Sequence, residues 1–155
     1  MSDNTNPTAT GFARTDLERV RAYFAKQEWK FSETENPETI QTVFSGITMD
    51  ISYTANSIVL FTTIGVSEVK ASRFGEVLDF CEQFNNARSF PTAIALEEPE
   101  RDLAALGVSY ALPCQWKHTD EQFRDFIDRG ILGLVNTAKA FLKEFAPEVL
   151  DQLPE

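Results

Sequence analysis

Nitrogen and sulfur ligands for a metal ion are nearly absent from this sequence: one histidine, His118, and two cysteines, Cys81 and Cys114, stand among 155 residues. A structural zinc takes four nitrogen or sulfur ligands and a catalytic zinc usually three. Cys114-x-x-x-His118 has a workable local spacing, with Cys81 as a distant third member. Cys81, however, falls on an apolar helical stripe, where a free cysteine is a small core residue. No metal is expected. The same scarcity bears on covalent catalysis, which needs a nucleophile, a base and usually an orienting group. Cys114 and His118 could supply the first two, and no third residue is placed to orient them. His118 precedes a helix cap, where an exposed, solvated imidazole is expected. The chain therefore reads as a non-enzyme, with no catalytic residue and no cofactor.

Glycine is sparse as well. The seven glycines stand at positions 11, 46, 65, 75, 107, 130 and 133, and none falls in a phosphate-cradling or dinucleotide pattern. Long apolar runs are missing: the purest, Ile58-Val59-Leu60-Phe61, is far too short to span a bilayer. Met1–Gly11 lacks the basic and apolar regions of a secretory signal, and the two cysteines show no disulfide-like spacing. A reduced cytoplasm is the expected compartment. Cations are in deficit, 14 against 24 acidic residues, for a net charge of −10. Such a chain repels phosphate backbones and anionic lipid, so neither nucleic acid nor a membrane is an expected partner.

What is present is a change of hydrophobic period. Residues 1–13 are rich in Asn, Thr, Ser and Ala and read as a disordered lead-in. Thr15-Asp16-Leu17-Glu18 has the spacing of a capping box with Thr15 as the cap, and Leu17, Val20 and Phe24 then recur at helical spacing to about Glu28. From Trp29 the period becomes two. Ile40, Thr42 and Phe44 share one parity and Ile47, Met49, Ile51 and Tyr53 the other, so a bulge or a tight turn falls at Ser45-Gly46. After Ala55-Asn56, the strand Ser57–Ile64 is apolar on both parities, as in a strand covered on both faces. Phe74, Val77, Leu78, Cys81 and Phe84 form the stripe of a second helix opening at Ser72. Thr92–Leu96 and Leu106–Leu112 read as a strand pair. Glu97, Glu98, Glu100 and Asp102 between them lack the spacing and glycine of a calcium loop and read as a charged hairpin tip.

Thr119-Asp120-Glu121-Gln122 is a second capping box, opening a helix that carries Phe123, Phe126, Ile127, Ile131, Leu134, Ala138, Phe141, Leu142 and Phe145. Gly130 and Gly133 inside it call for close backbone packing or a break into two helices. Pro147 ends the pattern, and 147–155 reads as a loose tail. The expectation is one α+β domain over 14–146. It has a mainly antiparallel sheet of about five strands and three helices, in the order α-β-β-β-α-β-β-α, with an extra short strand open at Trp29–Glu33.

Three stretches carry a family likeness: Gln27-Glu28-Trp29-Lys30-Phe31 at the end of the first helix, Phe80–Ala93 with its Asn85-Asn86 and Phe90-Pro91, and Tyr110-Ala111-Leu112-Pro113 before the cap at Thr119. In these the chain, from about Thr15 to Phe145, resembles the YbjN-like family, also labelled bacterial sensory transduction regulators and similar in fold to type III secretion chaperones. Cys114–His118 departs from the pattern, standing where a small-residue turn containing Gly is expected. The resemblance implies a chaperone-like or regulatory protein that binds a protein partner, with no enzymatic activity and no cofactor, and by analogy with those chaperones a homodimer.

The residues add a physical reason for pairing. Three helices of this length cover one face of a sheet, which leaves Val59 and Phe61 in water unless a second copy covers them. A last helix bent at Gly130–Gly133 and wrapped over the second face is the competing arrangement. Trp29, Phe90 and Trp116 fall on no clean stripe, so with Val59 and Phe61 they are the candidate partner contacts. The alternative function is a small-ligand sensor with a pocket between the last helix and the sheet, floored by Ile51, Tyr53 and Phe61.

Overall fold

The computed structural model describes residues 11–154. The disordered lead-in expected for 1–13 therefore lies mostly outside the described residues. The elements run α1 (Leu17–Gln27), β1 (Ser32–Glu33), β2 (Thr39–Phe44), β3 (Ile47–Thr54), β4 (Ser57–Ile64), α2 (Phe74–Ala87), β5 (Thr92–Glu98), β6 (Leu103–Pro113), α3 (Asp120–Phe145) and α4 (Pro147–Asp151). All strands join one sheet in the order β1-β2-β3-β4-β6-β5, and every pairing is antiparallel. The five main strands are those expected from the sequence. The sixth is a two-residue strand inside Trp29–Glu33, and the fourth helix corrects the reading of a loose tail. Pro147 opens that helix at a position where its missing N–H costs nothing, and Val149, Leu150 and Leu153 pack against the core.

Parity switches at Ser45-Gly46 through a tight turn, not a bulge. Both residues have positive φ, +51° and +78°, as do Ala55 and Asn56 at the next turn, which is the requirement of a two-residue hairpin that follows the strand twist. A side chain at Gly46 would also strike Pro154 at 2.8 Å.

All the long helices lie on one side of the sheet. Ile40, Ile47, Met49, Ile51, Ile58, Leu60, Leu106 and Val108 point to that side and are fully buried or nearly so. α1 brings Phe24 edge-on to Trp29, Phe31 and Phe44. α2 covers β5, and the Asn85 side chain exchanges two 2.8 Å hydrogen bonds with the Ala93 backbone. Its inward stripe differs from expectation at one place: Leu78 is 43% exposed, while Phe80 packs edge-on to Phe141 and Phe145 of α3.

α3 is one unbroken helix that crosses β4 and β6. Gly130 explains how close it comes: a Cβ there would lie 2.8 Å from both Leu60 Cδ2 and Tyr110 Cδ1. The glycines serve close packing, and the bent helix wrapping the second face does not form. Thr119 and Gln122 make both halves of the expected capping box. At α1 the cap is one residue later than expected. Asp16 accepts from the Arg19 amide at 3.0 Å, because the Thr15 side chain is engaged elsewhere.

Candidate interaction surfaces

The groups capable of chemistry are shut away. Cys81 and Cys114 are each 3% exposed, and desolvation pushes the Cys81 thiol up to about 11 and the Cys114 thiol up as well. Cys114 Sγ donates to the Leu112 carbonyl at 3.3 Å. His118 is 6% exposed, which corrects the solvated imidazole expected of it. The chain before α1 folds back and pairs Ala13 with His118, N–H to carbonyl in both directions at 3.1 and 2.9 Å. The His118 Nδ1 then meets Thr15 Oγ1 at 3.1 Å, while Nε2 has no partner among the described residues. Burial first, and the Arg19 guanidinium second, lower its pKa from 6.5. Arg19 ties the corner together, donating to the carbonyls of Gly11, Ala13 and His118 and to the Asp120 carboxylate. No group of three metal-ligating residues comes together among the described residues. The acidic connection between β5 and β6 is a hairpin tip, with Glu98 paired to Arg101 at 2.9 Å. No described helix is long and apolar enough to cross a membrane.

The five candidate contact residues fall in four places. Val59 and Phe61 are half-buried on the side of the sheet that carries no helix. On the same side stand Val43, 57% exposed, and Ile94, 39% exposed. Of the strand residues pointing that way, only Asp50 and Glu98 are charged, and no cation is among them. At one end the connection after β4 screens the face, with Gly65 against Leu103 and Ala105. Phe90 is 49% exposed beside the Tyr110 ring, and Trp116 is 58% exposed in the loop before α3. Trp29 is half-buried between Tyr23, Phe24 and Phe44. The pocket expected on Ile51, Tyr53 and Phe61 does not form: Ile51 pairs with Leu60 and Phe61 with Asp50, so Ile51 and Phe61 point to opposite faces.

Two of the grooves lie along the outer side of α3. One groove of about 350 Å³ runs between α3, the end of α2 and the Phe90-Pro91 turn, with Arg88 and Arg129 as its only charged lining residues. A second, of about 410 Å³, lies between α3, the end of α1 and the β2–β3 turn, lined by Trp29, Phe44 and Val135 among others. Leu132 borders both and is 59% exposed. The signal for it was available, since it is a large apolar residue off the stripe of α3. The pairing of Arg88 with Arg129, which brings two elements together, had no local signal.

Most of the chain compares well with solved structures. E. coli YbjN, described as a proposed transcription regulator, superposes with a TM-score of 0.68 at 16% identity, over 82% of this chain and 91% of that one. The chain has the YbjN fold. An uncharacterized protein from Methanothermobacter thermautotrophicus matches with a TM-score of 0.55 at 13% identity, over 84% of this chain and 99% of that one. No protein-family model and no curated protein sequence matches the chain. The three stretches that carried the likeness are structural joints of the fold. Glu28, at φ +58°, closes α1 with its own N–H on Ala25 and that of Trp29 on Phe24. Phe80–Ala93 is the α2-to-β5 passage, and Tyr110–Pro113 ends β6, the strand paired along the whole of β4. At this identity the YbjN fold is what is shared, and it carries no catalytic residue across.

Proposed function

We propose that the protein is a non-catalytic regulatory module that acts through protein contacts and pairs with a second copy of itself through the bare face of its sheet. One observation carries this reading: the six-stranded sheet has its long helices on one side, and the other side leaves Val59 and Phe61 half-buried among mostly small polar side chains and is almost free of charge. Fully burying Val59 and Phe61 is worth about 1.5–3 kcal/mol each relative to leaving them in water. A two-fold contact places one patch against its own copy. For two chains of net charge −10, the face with the fewest charges is the one on which they approach with least repulsion. The regulatory part draws on YbjN, described as a proposed transcription regulator. A chain this acidic is ill suited to the phosphates of DNA, so such a role would run through another protein. Buried Cys81, Cys114 and His118 present no nucleophile or base to a substrate.

The test is alkylation of a Ser109→Cys variant, since Ser109 stands opposite Phe61 on the bare face and both native thiols are buried. Labelling should slow as protein concentration rises and should be fast at every concentration when Phe61→Asp is added. A rate independent of concentration would contradict the proposal.

A further inference from the structure

We infer that the outer side of α3 is a second binding surface, and that its occupant is a segment of another protein carrying apolar side chains beside carboxylates. Leu132 is the most exposed of the large apolar residues among the described residues, at 59%, and it forms the ridge between the two grooves. On one side of the ridge the walls are Trp29, Phe44 and Val135. The carboxylate there, Asp128, already accepts the Tyr23 hydroxyl at 2.7 Å. That side is suited to an apolar anchor.

The other side has the opposite character. Arg88 and Arg129 are its charged groups, in a chain with ten more acids than bases. Arg88 lies over the Phe84 ring at 5.0 Å and makes no ion pair among the described residues. Arg129 reaches Asp125 at 3.6 Å, with both side chains more than 60% exposed, a contact of little energy. Both guanidinium forks keep donors for incoming carboxylates. Each groove has about the volume at the low end for small-molecule cavities and is open along its length, so each fits side chains of a peptide laid across Leu132.

This surface is separate from the sheet contact. α3 packs on Leu60 and Tyr110, the side of the sheet opposite Phe61, so one chain can pair through its sheet and hold a segment on α3. The two readings therefore stand or fall independently.

Fluorescence anisotropy with three labelled synthetic peptides tests it. The first has a Leu-Phe pair flanked by Asp and Glu, the second replaces that pair with Ala-Ala, and the third replaces the acids with Lys. The first peptide should bind saturably and more weakly as salt is raised. Its affinity should fall about tenfold or more in the double variant Arg88→Glu, Arg129→Glu and in Leu132→Asp. All three sites are exposed, and Leu132→Ser serves if the aspartate disturbs folding. Phe61→Asp should leave the affinity unchanged. No saturable binding, equal binding of the Ala-Ala peptide, preference for the Lys peptide, or undiminished binding to the double variant would each overturn the proposal.

Discussion

Thr15 Oγ1 and His118 Nδ1 lie 3.1 Å apart across 103 residues of sequence, and Arg19 donates to the Thr15 hydroxyl and to the His118 carbonyl. The imidazole is thus held beside a fixed cation in a dry corner, and its pKa falls below 6.5. The unfolded chain then takes up a proton at higher pH than the folded one. Stability from this group is present above about pH 6.5 and is lost as pH falls from there through the folded-state value. Urea unfolding between about pH 8 and pH 5 should show that decline in the wild type. His118→Gln, which does not titrate, should flatten it. Parallel curves for the two proteins would contradict this account of the corner.

Gly130 and Gly75 should respond to alanine in opposite directions. A Cβ at Gly130 meets Leu60 and Tyr110 at 2.8 Å, and the Tyr110 ring is itself stacked on Phe126 at 4.6 Å, so neither neighbour yields freely. Overpacking costs about 1–3 kcal/mol, against about 1 kcal/mol gained in helix propensity. Thermal or urea unfolding should show Gly130→Ala destabilised by up to about 2 kcal/mol. Gly75 has nothing within 4 Å of an added Cβ, and Gly75→Ala should stabilise by about 0.5 kcal/mol. A gain in both variants would mean that α3 does not rest on Tyr110.

Neither native thiol should behave as a nucleophile. Burial holds the Cys81 thiol near 11 and raises that of Cys114, so little thiolate forms near neutral pH. Iodoacetamide should label the native protein at least about tenfold more slowly than the unfolded chain. Fast native labelling of Cys114 would reopen the case for a Cys114–His118 pair.

Much of this fold was legible because its cues are local. The alternation Ile47–Tyr53 and the box Thr119–Gln122 declare β3 and the start of α3 without reference to the rest of the chain. What was misread depends on contacts distant in sequence. Thr15 looks like a cap until His118 takes its hydroxyl, and His118 looks solvated until Ala13 pairs over it. Gly130 left two arrangements open, and the approach of Tyr110 from β6 decides between them. Pro147 at the first position of α4 is a start signal as well as a stop, and only the packing of Val149, Leu150 and Leu153 on the core decides between the two. The outward parity of Val59 and Phe61 was readable along the strand. The meeting of Arg88 with Arg129 beside Leu132 was not, since α2, α3 and the Phe90-Pro91 turn must first be assembled.

The central claim is that the bare face of the sheet is a contact between two copies. Sedimentation velocity over a range of concentrations tests it most directly. The account predicts a species of twice the 17.5 kDa chain mass, which Phe61→Asp converts to folded monomer and Glu121→Lys, on the helical side, leaves intact. A single 17.5 kDa species at every concentration up to the high micromolar range would contradict it.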